Sequence, residues 1–269
     1  MPWGTVSNRL PHVWRVVVAL AFLCTSVAAE AGAFLQKPDE GILIMGGAFT
    51  DAVRAYDALG RLVPVAPWRK FELTTYAEYG ITDWLTGIAS PSLFMFRQDP
   101  PGHNQGATGV AEAGARARIL EWGDSILSGQ VIVRAPLAGA SARPFVDTTR
   151  FVQIDARAAW GHGFELWGFR GFSDIQVGFR SNGNFGHEAR IDSTVGVWAF
   201  EPLLLLFQSF TAATPGRIGQ SLYLSEKVQV SAVYWITPKV GVQLGGILGL
   251  RGINADAERG GFSALWVRF

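Results

Sequence analysis

From residue 41 to Phe269 the chain repeats one pattern: stretches in which polar and apolar side chains alternate, separated by turn-forming residues. Strand side chains alternate with period two, so each stretch reads as a β-strand with one polar and one apolar face. The last stretch illustrates it. Phe269, Val267, Leu265 and Ser263 fall on one face, and Arg268, Trp266 and Ala264 on the other. Twelve such strands can be drawn, at 41–51, 70–80, 84–96, 109–120, 125–135, 148–160, 171–181, 188–199, 203–212, 222–236, 240–250 and 260–269. An even number of antiparallel strands is what a single-chain bacterial barrel requires.

The composition agrees. Charged residues are 17% of the chain, below the usual quarter, and mean hydropathy is +0.20. Yet beyond the amino-terminal region the longest apolar run, 202–207, falls far short of the roughly 18 to 20 residues of a spanning helix. A barrel resolves this conflict, because each strand shows lipid only its alternate residues. The fold class expected is all-β, a transmembrane up-and-down antiparallel β-barrel of about twelve strands. A soluble β-sandwich or lipocalin-like barrel would show the same alternation, but its core would have to be built from the many Gly and Ala of the apolar face.

The amino terminus carries Arg9, His12 and Arg15, an apolar run at 16–23, and small residues Ser26, Ala28, Ala29, Ala31 and Ala33. That is the layout of a cleaved signal peptide, 1–31, with the cut between 29 and 33, followed by one barrel domain, 32–269. An amino-terminal anchor would need a longer apolar run. Cys24, the only cysteine, follows the bulky Leu23, which is unlike a lipobox, and it leaves with the leader. A net charge of +1 offers no footprint for nucleic acid.

With both termini on the inner side of the membrane, the outer loops are 52–69, 97–108, 136–147, 182–187, 213–221 and 251–259. The inner connections are short, apart from 161–170, which fits least well. A lipid-facing Arg or Lys at mid-membrane costs about 2 to 4 kcal/mol, so the charged parity should face the lumen. That face holds Glu72, Tyr76 and Glu78, then Glu112, Arg116 and Arg118, then Gln130 and Arg134. Farther along it holds Asp155 and Arg157, Asp174 and Arg180, Arg190 and Asp192, Lys227 and Gln229, and finally Arg268. The lumen expected is strongly polar. Two readings of these residues stand side by side: salt-bridge ladders that hold strands in register, or the wall of a path for a polar solute, with Tyr76 and Trp266 as faces for sugar rings. Tyr79, Trp84, Trp198 and Tyr234 sit beside the inner turns and are expected at the membrane interface.

Enzyme chemistry finds little footing. His103, His162 and His187 lie in separate predicted connections, and no metal or other cofactor is expected. Ser181-Asn182-Gly183 echoes part of the nucleophile motif of outer-membrane phospholipases, but Phe179 stands where that motif has His. Without a base in reach, the hydroxyl is a weak nucleophile.

Two resemblances add direction. The terminal Phe269 resembles the carboxy-terminal aromatic that barrel-assembly machineries read. Lys70-Phe71-Glu72-Leu73, Tyr76-Ala77-Glu78-Tyr79-Gly80-Ile81-Thr82-Asp83-Trp84 and Gly114-Ala115-Arg116-Ala117-Arg118-Ile119-Leu120-Glu121-Trp122-Gly123-Asp124 resemble the XagA-type proteins, exported proteins encoded beside glycosyltransferases for biofilm or adhesive polysaccharide. That resemblance implies an outer-membrane barrel that assists export or surface attachment of a polysaccharide. Its implied partners are outer-membrane lipid, the assembly machinery, the polysaccharide and the proteins that make it. A small-solute porin and an adhesive barrel are the alternatives.

Overall fold

The structure, a computed structural model, describes residues 32–99, 106–137, 152–181, 187–215 and 222–269. The leader expected at 1–31, the start of the strand expected at 148–160, and much of the loops expected at 97–108, 136–147, 182–187 and 213–221 lie outside these residues.

The chain is an up-and-down meander: β1 Gly41–Tyr56, β2 Leu62–Thr82, β3 Leu85–Gln98, β4 Gly106–Trp122, β5 Ser125–Pro136, β6 Gln153–Leu166, β7 Phe169–Ser181, β8 His187–Phe200, β9 Leu203–Thr214, β10 Tyr223–Trp235, β11 Val240–Ile253, β12 Ala255–Asp256 and β13 Arg259–Arg268. Each long strand pairs antiparallel with its neighbours, and β1 pairs with both β2 and β13. The two-residue β12 folds back on the end of β1, which leaves a closed ring of twelve strands. Closure removes the free edges that a sheet cannot present to lipid. The seam runs from Ile42 opposite Arg268 to Asp51 opposite Arg259, and Gly41 and Phe269 exchange backbone hydrogen bonds of 3.0 Å at its inner end.

The strands run longer than the sequence pattern indicated, and three connections change. The loop expected at 52–69 is mostly strand. β1 and β2 extend to a five-residue turn in which Asp57 accepts from the backbone N–H groups of Leu59 and Arg61 and pairs with the Arg61 side chain at 2.8 Å. The Arg61 backbone N–H, foremost, holds the exposed Asp57 carboxyl below the ordinary carboxylate range. The inner connection expected at 161–170 shrinks to Trp167-Gly168, both at positive φ (54° and 81°), the mark of a type I′ hairpin turn. The loop expected at 251–259 contains β12.

Parity holds around the ring. Leu73, Leu93, Val131, Val177, Phe207 and Leu244 are exposed on the outer face, whereas the opposite parity carries the buried polar side chains. An apolar belt this continuous on a closed barrel is the surface of a transmembrane protein. The interior is not polar throughout. Ile42, Phe172, Leu204, Leu206, Val233, Trp235 and Trp266 form a buried apolar cluster inside the inner half of the barrel, which corrects the expectation of a strongly polar lumen.

Candidate functional site

Residues 32–38 precede β1 and lie inside the barrel. Entry is set at Asp39, whose positive φ of 64° reverses the chain, and at Gly80, which bridges Pro38 in parallel and exchanges backbone hydrogen bonds with Asp39 and Glu40. A Cβ at Gly80 would sit 2.0 Å from the Lys37 carbonyl oxygen, so only glycine permits this approach. The segment then crosses the lumen. Gln36 donates its backbone N–H to Thr86 Oγ1 at 3.0 Å and its amide to Glu78 Oε2 at 2.8 Å. The Phe34 carbonyl accepts from Arg116 Nη1 at 2.8 Å, and the Ala33 N–H donates to Asp174 Oδ2 at 2.5 Å. β2 and β7 stand on nearly opposite walls of a twelve-strand ring, so the segment is tied to both sides. Phe34 packs edge-on against Phe172 at 6.3 Å and over Gly161, where a Cβ would fall 2.7 Å from its ring.

Arg116 centres the inner polar network. Fully buried, it donates to Gln130 Oε1 through Nε (3.2 Å) and Nη2 (2.9 Å) and pairs with Glu78 at 2.9 Å. Tyr76 donates its hydroxyl to the same carboxylate. Every expected member of this group lies in one cluster, and the sequence missed only its partners from 32–38 and Thr86.

Farther out, β4 to β8 carry an ion-pair ladder. Arg134 pairs with Glu112 at 3.2 Å, while Asp155 holds both Arg157 (2.6 Å) and Arg180 (2.8 Å). Arg157 also reaches Asp192 at 2.5 Å, and Arg190 pairs with Glu188 at 3.1 Å. On the facing wall Glu258, from the connection after β12, is pinned inside the outer mouth by Thr50 (2.5 Å), Lys70 (2.9 Å) and Lys227, with Lys70 also 3.4 Å from Glu72. Burial would raise the Glu258 carboxyl, but Lys227 and Lys70 outweigh it and hold it at about 2.

Between the segment below and the charges above lies a cavity of about 170 Å³. Its polar wall is Thr194, Gln208, Gln229 and Gln243, and Phe172, Leu206 and Trp266 supply apolar faces. Gln229 and Trp266 are expected on the lumen wall from the sequence, and both line this cavity.

The remaining expected residues divide. Arg268 faces inward, its guanidinium 3.7 Å above the Trp235 ring. Arg118 sits at the inner rim, paired with Glu121 (2.5 Å) and Asp83 (3.7 Å), because a bulge between Arg118 and Leu120 ends the regular register there. Tyr79, Trp84 and Tyr234 are exposed outward near the inner turns. Trp198 is corrected: its parity points inward, where it packs on the apolar cluster beneath Arg170. Phe269 stacks on Tyr79 at 6.5 Å. Among the described residues, no group of His, Cys, Asp and Glu converges as metal ligands would. The phospholipase-like Asn182-Gly183 lies outside the described residues, and His187 pairs across from Ser181 with its ring on Phe179 at 4.9 Å.

Fold and site together define a twelve-stranded transmembrane barrel whose lumen is crossed in its inner half by residues 32–38. The chain is similar to the COG4313 outer membrane channel from Pseudomonas putida F1, at 15% identity and a TM-score of 0.62, covering 89% of this chain and 99% of that one. A looser likeness, at 11% identity and a TM-score of 0.43, covers 84% of this chain and 98% of the β domain of the Bordetella autotransporter BrkA. No protein-family model and no curated protein matches the chain.

Proposed function

We propose that this protein is a channel of the bacterial outer membrane for small solutes, held shut in the observed state by residues 32–38. The observation that carries this reading is the segment itself. Its polar contacts to Glu78, Thr86, Arg116 and Asp174 are side-chain hydrogen bonds that water can replace, while the barrel's own strand pairing does not depend on them. A removable filling beneath a lined cavity is what a gated conduit needs and what a purely structural barrel does not. The belt of exposed apolar residues supports the outer membrane as its location, entered with the termini on the periplasmic side.

Export or attachment of a surface polysaccharide rests on the resemblance to XagA-type proteins. A polymer would need a continuous polar aisle, and the apolar cluster around Phe172, Leu204 and Trp235 narrows the inner half, so the geometry favours small solutes. The test is flux into proteoliposomes carrying the full chain or a chain lacking 32–38. The shortened chain should pass a pentose and exclude a dextran. Passage of dextran would favour the polysaccharide reading, and no flux from either chain would end the channel reading.

A further inference from the structure

We infer that the mid-lumen cavity is a binding site for a small uncharged molecule that joins one planar ring to an amide or hydroxyl group; this rests on the cavity lying along the solute path proposed above.

Size comes first. A cavity of about 170 Å³ is slightly larger than the roughly 150 Å³ apolar cavity that accommodates benzene, which leaves room for a ring and one compact substituent. Lining comes second. Phe172, Leu206 and Trp266 offer flat and branched apolar surface suited to a ring. The opposite wall is built from amides. Gln243 is committed, accepting from Trp266 Nε1 at 2.9 Å and donating to Ser231 at 2.9 Å. Gln208 donates to Thr194 at 3.3 Å. Gln229 stands directly across the β9–β10 ladder from Gln208, and its side chain makes no hydrogen bond to another described residue, so its amide offers both a donor and an acceptor to the cavity. An amide or hydroxyl group is complementary to that pair.

Charge comes third. Among the described residues, no ionisable side chain lines the cavity. Of the charged residues that flank it, Lys227 and Lys70 both pair with Glu258, Asp192 pairs with Arg157, and Asp174, opposite Thr194, accepts from Gln176 and from the Ala33 N–H. A carboxylate or ammonium entering the cavity would lose its hydration with no ionisable side chain among the described lining residues to replace it, which disfavours ions relative to neutral molecules of the same shape. Occupancy also has a route to the gate, because Phe172, at the cavity wall, is the ring on which Phe34 of the amino-terminal segment packs.

The test is equilibrium binding of radiolabelled benzamide, benzoate and benzylamine to the full chain in lipid nanodiscs, corrected for protein-free discs. Benzamide should bind saturably at one site per barrel and at least tenfold more tightly than either ion at pH 7. Gln229→Leu should weaken benzamide at least tenfold, Lys227→Met should leave it unchanged, and Leu206→Trp should abolish it by filling the cavity. Heat-modifiable mobility reports folding, and Gln229→Leu carries the test if Leu206→Trp does not fold. Absence of saturable binding, equal binding of benzamide and benzoate, or indifference to Gln229→Leu would overturn the inference. Flux without such binding would leave the channel standing and remove the site, whereas binding without flux from the chain lacking 32–38 would do the reverse.

Discussion

Arg116 Nη1 lies 2.8 Å from the carbonyl oxygen of Phe34 and 2.9 Å from Glu78 Oε1, so one buried guanidinium joins the barrel wall to the segment inside it. Removing one member of a buried ion pair leaves the other charge uncompensated, at about 3 to 5 kcal/mol. Glu78→Gln and Arg116→Met should each lower the unfolding free energy of the vesicle-embedded barrel, read from urea titration, by an amount of that order. The double variant Glu78→Met, Arg116→Met should recover much of the loss, and additive losses would show that the two do not act as a pair.

Gly161 gives a way to dislodge the segment without touching a charge. A Cβ there would meet the Phe34 ring at 2.7 Å and the Ala33 methyl at 3.0 Å. Gly161→Val should raise ion conductance in planar bilayers. Gly163→Ala, two residues along the same strand and with only an ordinary 3.8 Å contact, should leave it unchanged.

The outer mouth should be sensitive to acid. Glu258 is held at about 2, below its unfolded value, so its contribution to stability is present above about pH 4.5 and is lost as pH falls towards 2. A shift of that size corresponds to about 3 kcal/mol. The fall in unfolding midpoint between pH 5 and pH 2.5 should therefore be shallower in Glu258→Gln than in the parent, as read by tryptophan fluorescence in urea. Equal slopes would assign the acid sensitivity to other carboxylates.

Phe269 closes the seam through its backbone bonds to Gly41 and its stacking on Tyr79. If it is also the assembly signal, Phe269→Ala should reduce folded protein in the outer membrane severalfold in cells, while refolding into vesicles in vitro falls only modestly. Equal losses in both would confine Phe269 to a structural role.

The alternation that defines the strands is a local property, and it carried the twelve-strand barrel and the inward parity of Glu78, Arg116, Asp155 and Lys227. Where local signals conflicted, it stopped short. Pro64 and Pro67 argue against a strand, yet Pro64 pairs with Arg54 of β1 before the β3 ladder begins at Trp68, and Pro67 falls at the register shift between Ala52 and Arg54, where only its carbonyl is used, by Asp99. Gly161 and Gly163 interrupt the pattern of β6 and hid the hairpin through Trp167-Gly168. Leu203 to Leu206 are apolar on both parities, so nothing in them marks Leu204 and Leu206 as interior. The segment 32–38 was invisible for a different reason. Its partners are up to 141 residues away, and no periodicity announces a chain that folds into a lumen.

The most direct measurement is single-channel conductance of the full chain and of a chain lacking residues 32–38 in the same bilayer. The full barrel should conduct weakly and the shortened one in steady steps severalfold larger. Equal conductance from the two would contradict closure of the lumen by this segment.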